Sequence, residues 1–181
     1  EAAGYITSVN LVNMADYGVP QTRQRVIIIG QRVDLGEKLR FKFPQPTHSK
    51  NSELPHWVSI REAIDHFPDP DKDNDVLNHI YSAYKVEYRN FTGHRETDPD
   101  KPSPTVLARG NGKGGVCAIP HYNGKRRLTI RESASVQTFP EDFHFVGTMN
   151  SCYRQIGNAV PVLFARKLGD ELVRLEKEEN V

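Results

Sequence analysis

The sequence predicts an α/β fold, and three observations carry that expectation. Val26-Ile27-Ile28-Ile29 is an unbroken β-branched run closed by Gly30, the pattern of a strand buried on both faces in a parallel or mixed sheet. Tyr5 to Met14 is rich in strand formers (Ile6, Thr7, Val9, Leu11, Val12), and the turn chemistry of Asp16-Tyr17-Gly18-Val19-Pro20 joins it to that run. Towards the other end, Ala165, Leu168, Leu172 and Leu175 recur at helical spacing with Arg166 and Arg174 between them, as expected of a helix with one buried stripe laid on a sheet.

Composition narrows the class. At 181 residues the chain is one ordinary domain or two small ones, and 37% hydrophobic with 26% charged residues supports a folded protein with a modest core. A net charge of +1 excludes a global field that would draw in nucleic acid, so any such surface is a local patch. The signs are unevenly spread. Arg89, Arg95, Lys101, Arg109, Lys113, Lys125, Arg126 and Arg127 fall in the middle, while Glu171, Glu176, Glu178 and Glu179 crowd the end. Cys117 and Cys152 have no CxxC spacing and make no disulfide framework, which fits a reducing, cytoplasmic compartment. No apolar run approaches a membrane span and no signal peptide is visible. The chain starts at Glu1 without a methionine and runs straight into a strand, so it is expected to be a piece of something longer.

In chain order, the segment before the β-branched run carries the first candidate chemistry. Arg23 and Arg25 are two residues apart and project from one side of an extended backbone. Two guanidiniums at a strand's mouth suit a phosphate or a base edge; a salt bridge to a neighbouring helix explains them equally well. Phe41 to Pro55, with Pro44, Pro46 and Pro55, reads as irregular. Ser59-Ile60-Arg61-Glu62 is a capping box opening a short helix that ends before Pro68. The alternating aspartates of Asp69 to Asp75 invite a calcium-loop reading, which fails because Asn74 and Ile80 stand where the loop needs glycine and glutamate.

Leu77 to Thr97 interleaves aromatic and basic residues, a pattern shared by nucleic-acid contacts and by small aromatic cores. Short strands are expected at Thr105 to Ala108 and Val116 to Ile119, around the glycine-rich loop Gly110 to Gly115. That loop matches neither a GxGxxG turn nor a P-loop and is read as a mobile loop carrying Lys113. The histidines lack metal-ligand spacing, and no metal is assigned. Thr129-Ile130-Arg131-Glu132 is a second capping box, opening a helix through Val136. Beyond it, Ser151 is expected to cap a short turn, with Asn158 the N-cap of the last helix and Pro161 in its first turn.

These residues resemble the DNA (cytosine-5) methyltransferases, bacterial modification methylases in particular. Asp16-Tyr17-Gly18-Val19-Pro20-Gln21-Thr22-Arg23-Gln24-Arg25 is similar to the family's Gln-x-Arg-x-Arg active-site segment. Arg127 to Pro140 resembles the block that anchors the target-recognition domain, and Tyr153 to Pro161 the final block, whose helix returns to the catalytic domain. Order and spacing agree over nearly the whole chain.

The resemblance implies the C-terminal part of a Rossmann-like, S-adenosylmethionine-dependent methyltransferase sheet with an inserted, mostly irregular and β target-recognition domain. The implied division is 1–34 for the end of the catalytic domain, 35–146 for the recognition domain and 147–181 for the returning helix. The family's chemistry flips cytosine from double-stranded DNA, attacks C6 with a cysteine thiolate and methylates C5. By resemblance, Arg25 contacts the flipped cytosine or its phosphate, Arg23 helps to hold the site and Gln21 supports the turn. Asn158, Ala159 and Val160 border the cofactor, where a helix N-terminus would suit its carboxylate.

Arg109, Lys113, Lys125, Arg126 and Arg127 are the expected DNA contacts, mostly to phosphate. The family's Phe-x-Gly-x-Gly cofactor loop, its Pro-Cys nucleophile and its Glu-Asn-Val segment have no counterpart in this sequence. The implied partner is therefore an N-terminal catalytic segment, in the same polypeptide or as a separate subunit. The fragment is expected to be inactive alone and prone to self-association. A rival reading is a non-catalytic DNA-binding or scaffolding protein derived from the enzyme.

Overall fold

The computed structural model describes residues 3–35, 40–51, 53–82, 97–108, 119–124 and 126–179. Of the residues singled out above, Arg109, Lys113, Cys117, Lys125, the glycine loop and most of the aromatic–basic stretch (83–96) lie outside the described residues.

Strands β1 (Tyr5–Asn13) and β2 (Gln24–Arg32) pair antiparallel, with Val9 opposite Ile28 and Leu11 opposite Val26. This corrects the expectation of a strand buried on both faces in a parallel or mixed sheet. The connection 14–23 has no room for a crossover helix, so the chain returns directly. Inward, Val12 joins Met14, Tyr17, Val19 and Phe164 in a small core. Outward, Val9, Leu11, Val26 and Ile28 are 60–64% exposed and form one apolar patch. A 3-10 turn, Met14–Tyr17, bridges the strands and closes on Gly18, whose φ of 84° is left-handed.

The 40–57 segment is irregular, as expected, and is tied to this turn. The Trp57 indole donates to the Asp16 carboxylate at 2.9 Å, and the Tyr17 hydroxyl donates to the Pro44 carbonyl at 3.1 Å.

Both capping boxes form. Helix α1 (Ile60–Ile64) starts at Ser59 and α2 (Ile130–Val136) at Thr129, each with the reciprocal glutamate bond. Two of the orphan amides at each start are thereby satisfied. The main core gathers Ile60, Ile64, Val106, Leu128, Ile130, Ala134, Val136, Phe145, Cys152 and Ile156, so α1 and α2 pack together with α3 (Met149–Asn158).

The helical end of the chain differs from expectation in three respects. The Thr148 hydroxyl, not Ser151, caps α3. Asn158 is the last residue of α3 and not the N-cap of α4 (Val162–Glu179), because Val160 precedes Pro161 and such a residue is pushed out of the helical region. The break therefore falls at Ala159-Val160-Pro161, and the Pro161 carbonyl accepts the first bond of α4 from Ala165. Third, the buried stripe of α4 is set by Phe164, which is fully buried and packs edge-on to Tyr17 at 4.9 Å, with Leu163 and Leu168 beside it. Ala165 and Leu172 are exposed.

The expected strand at Thr105 to Ala108 is extended but forms no ladder beyond a single parallel bridge between Ser103 and Gln21. Its polar groups are taken by side chains instead. This segment runs directly over α3. A Cβ on Gly157 would lie 2.3 Å from the Ala108 amide nitrogen and 2.4 Å from the Leu107 carbonyl carbon. Gly157→Ala is expected to lower the unfolding free energy by at least about 2 kcal/mol, since backbone and not a flexible side chain must move. Equilibrium urea denaturation measures it; a loss below about 0.5 kcal/mol would show that the crossing relaxes freely.

Candidate active-site face

The turn Pro20–Arg23 is clamped to the extended segment by backbone bonds, from Thr22 to the Ser103 carbonyl and from Ser103 to the Pro20 carbonyl, each at 2.9 Å. The Thr105 hydroxyl adds a bond to the Thr22 carbonyl at 2.8 Å. Gln21 is fully buried: its Oε1 accepts the Val106 N–H at 2.9 Å and its Nε2 donates to Gln137 Oε1 at 3.0 Å. Gln137, also fully buried, donates from Nε2 to the Ile156 carbonyl at 2.8 Å.

The two arginines divide. Arg23 is 7% exposed and donates to the Val106 carbonyl at 2.9 Å and the Gly157 carbonyl at 3.1 Å. Burial lowers its pKa, with the neighbouring Arg25 charge a second cause. Arg25 is exposed, and among the described residues its guanidinium donates to the Gln24 carbonyl beside it at 2.6 Å. The structure thus brings both cations to one strand mouth, spends Arg23 on backbone carbonyls and leaves Arg25 facing outward. Neither the paired grip nor the salt bridge describes Arg23.

Asn158 and Val160 are exposed at the α3–α4 junction, with Ala159 half-buried. Asn158 lies at the end of α3, which corrects its expected place at the start of α4, and the first two amides of α4 are already bonded. Val162 donates to the Gln137 carbonyl at 3.1 Å and Leu163 to Thr138 Oγ1 at 2.9 Å. The end of α2 caps the start of α4.

Two expected DNA contacts are buried instead. Arg126 is 9% exposed and grips Glu132 with two bonds of 2.7 Å. Glu132 is the capping carboxylate of α2, at 1% exposure, and a charge so buried needs a countercharge. Arg127 is 5% exposed. The basic cluster therefore loses Arg126 and Arg127 as free surface cations.

Arg131 was readable only as part of the second block. It is fully buried and donates to the carbonyls of Leu77 (2.9 Å), Pro140 (3.0 Å) and Phe143 (2.5 Å), lashing two loops to α2. Sequence reasoning also passed over Gln137. Nothing in its spacing distinguishes it from a surface amide at a helix end.

Cys152 is buried, and burial pushes its thiol pKa up, the opposite of what a thiolate nucleophile needs. Burial likewise pushes the Tyr153 phenol far above its ordinary range, and its hydroxyl donates to the Leu128 carbonyl at 2.7 Å. His121, 9% exposed, accepts the Asn123 N–H on Nδ1, while burial first and Arg126 second lower its pKa. Among the described residues no helix is long and apolar enough to cross a membrane.

The fold is similar to that of solved methyltransferases. The Schizosaccharomyces pombe Dnmt2 methyltransferase superposes with a TM-score of 0.61 at 17% identity, covering 99% of this chain and 60% of that one. A protein described as a DNA modification methyltransferase encoded within an Escherichia coli prophage reaches 0.72 at 19% identity, covering 97% and 62%. Sequence comparison narrows the class to a family. The model for C-5 cytosine-specific DNA methylases matches residues 1–174, and the chain belongs to that family. It is 35% identical to the type II methyltransferase M.NgoFVII of Neisseria gonorrhoeae over 89% of this chain and 48% of the relative. It is 32% identical to M1.HphI of Haemophilus parahaemolyticus over 99% of this chain and 51% of the relative. The chain thus spans about half the length of the curated relatives it matches.

The division between the arginines is testable by stability. Arg23→Ala is expected to cost about 2–3 kcal/mol, because two buried carbonyls lose a charged donor, whereas Arg25→Ala stays within about 0.5 kcal/mol. Similar losses in urea denaturation for both variants would contradict it. His121 supplies a pH dependence. Its folded pKa lies below the ordinary 6.5, so the unfolded chain binds the extra proton. Stability is expected to fall as pH drops from about 6.5 towards the depressed value. His121→Gln should flatten that part of the profile; an unchanged slope would refute the assignment.

Proposed function

We propose that this chain supplies the target-recognition module and the substrate-holding side of the active site of a DNA (cytosine-5) methyltransferase. Residues 1–34 and 147–181 belong to the catalytic domain in this reading, and 35–146 to the recognition domain. The observation that carries it is the division of labour at the mouth of β2. Arg23 is consumed in fixing Val106 and Gly157, and Arg25 is held beside it with its guanidinium exposed. A cytosine must leave the duplex stack to react, and an exposed guanidinium on a rigid strand can grip the flipped base or its phosphate. Rigidity matters because holding the reacting ring in place is where much of the rate comes from.

The nucleophilic cysteine and the main cofactor loop come from outside this chain in this reading. Its burial and raised pKa support reading Cys152 as structural in this account. S-adenosylmethionine, when bound, supplies the methyl group to C5. By the family resemblance Asn158, Ala159 and Val160, exposed or half-buried at the α3–α4 junction, would lie along one edge of its site. They would border it as side chains, since the Val162 and Leu163 amides of α4 are already taken. Arg109, Lys113 and Lys125 are the proposed phosphate contacts. The outward apolar face of Val9, Leu11, Val26 and Ile28 is where the remaining half of the enzyme would pack, and left bare it would drive self-association.

Mixing this chain with a purified N-terminal half and assaying methyl transfer to duplex DNA tests the reading. Persistent inactivity of a well-folded mixture would count against it. In the active enzyme Arg25→Ala is expected to lower kcat by about a hundredfold with a much smaller change in DNA affinity. The reverse pattern would make Arg25 a DNA-positioning residue. For this chain alone, DNA binding should be weak and fall steeply between about 50 and 200 mM salt, as phosphate contacts release counterions. Salt-independent binding would contradict the basic-patch assignment.

A further inference from the structure

The buried amides of Gln21 and Gln137 form a chain with a direction. The Val106 N–H donates to Gln21 Oε1, Gln21 Nε2 donates to Gln137 Oε1, and Gln137 Nε2 donates to the Ile156 carbonyl. The two ends are backbone groups, an N–H and a C=O, which cannot exchange roles. Rotating either side-chain amide by half a turn would set oxygen against oxygen and N–H against N–H. Both side chains are 0% exposed, so water cannot repair such an error.

Around this chain the end of α2 does further work on the α3–α4 junction. The Gln137 carbonyl accepts the Val162 N–H. Thr138 adopts φ 59°, a left-handed conformation costly for a β-branched residue. In that conformation the Thr138 and Phe139 amides bond back to the carbonyls of Ser135 and Ala134, closing α2, while Oγ1 accepts the Leu163 N–H. A strained residue is thus kept next to the one side chain that joins Gln21 to Ile156.

We propose that Gln137 is a positioning residue. It ties the end of α2 on one side to Gln21, and so to the turn that carries Arg23 and Arg25. On the other side it ties α2 to Ile156, and so to Asn158, Ala159 and Val160. It contacts no substrate; it holds two walls of the site in one geometry and locks both to the recognition module. The inference rests on the proposed role of Arg25, and its test separates the two.

In this chain, Gln137→Met is expected to speed hydrogen exchange of the Val106 N–H by about tenfold, although that amide bonds Gln21 and not Gln137. The Asp65 N–H, bonded to Arg61 in α1, serves as the reference and keeps its rate. Unchanged protection at Val106 overturns the coupling. In the complete enzyme, Gln137→Met and Gln21→Met should each lower kcat about tenfold, with the KM for DNA within about threefold. The double variant should lose no more than either single one, because a broken chain cannot be broken twice. Additive losses, or a kcat within about twofold of wild type, overturn the positioning role. Should Gln137→Met fail to fold, Gln137→Glu, measured at a pH high enough to ionise its carboxylate, keeps the acceptor for Gln21 and removes the donor to Ile156. Val106 then stays protected while kcat falls; lost protection there overturns the directional chain. A complete wild-type enzyme that does not methylate cytosine would refute the proposed function, and the exchange rates would still decide the coupling.

Discussion

An extended strip of chain, Ser103 to Ala108, lies between the turn that carries the arginines and helix α3, and much of the site depends on how it is held. Beyond the two backbone bonds of Ser103 it makes no ladder among the described residues, so the buried polar groups of Val106 have to be met by side chains. Gln21 takes the Val106 N–H, Arg23 takes the Val106 carbonyl, and Gly157 leaves room for the Leu107–Ala108 backbone to pass. An unmet N–H or C=O at this depth costs about 1–3 kcal/mol, comparable with a sizeable share of a small domain's stability. The strip therefore sets what the neighbouring residues must be. Two members of the Gln-x-Arg-x-Arg segment are spent on it before any substrate is considered.

The same economy of charge explains why Arg126 and Arg131 are buried. Arg126 neutralises the buried capping carboxylate of α2, and Arg131 satisfies three loop carbonyls. A guanidinium has five donors in a planar fork, so it can close several backbone gaps at once where lysine could not. Basic residues in this family member thus serve as building material. Arg25 differs from Arg126 and Arg131: it is exposed, and its guanidinium donates to the neighbouring Gln24 carbonyl.

Much of the local structure was legible from spacing. Both capping boxes announced their helices, since Ser59 with Glu62 and Thr129 with Glu132 satisfy each other's orphan amides without help from the rest of the chain. Pro161 marked a helix start for an equally local reason. The errors arose where burial decides. The four β-branched residues of β2 read as doubly buried, yet one face of the hairpin is bare in this chain. Asn158 read as an N-cap, yet the residue before proline moves the break onward by one turn of chain. Arg126 and Arg127 read as surface, because a sequence does not show that Glu132 is buried and in need of a partner.

Order and spacing of the three sequence blocks were enough to place the chain in the family whose model matches residues 1–174. The starts of α1 and α2 also followed from the sequence by itself, being set by neighbours a few residues away. Only the tertiary structure separated Arg23 from Arg25, withdrew Arg126 and Arg127 from the surface and brought Gln137 against Gln21 across 116 positions of chain. The physical reason is the same in each case. Whether a polar side chain serves a ligand or the protein's own backbone depends on which unmet carbonyls, amides and charges lie within about 3 Å, and folding alone assembles those.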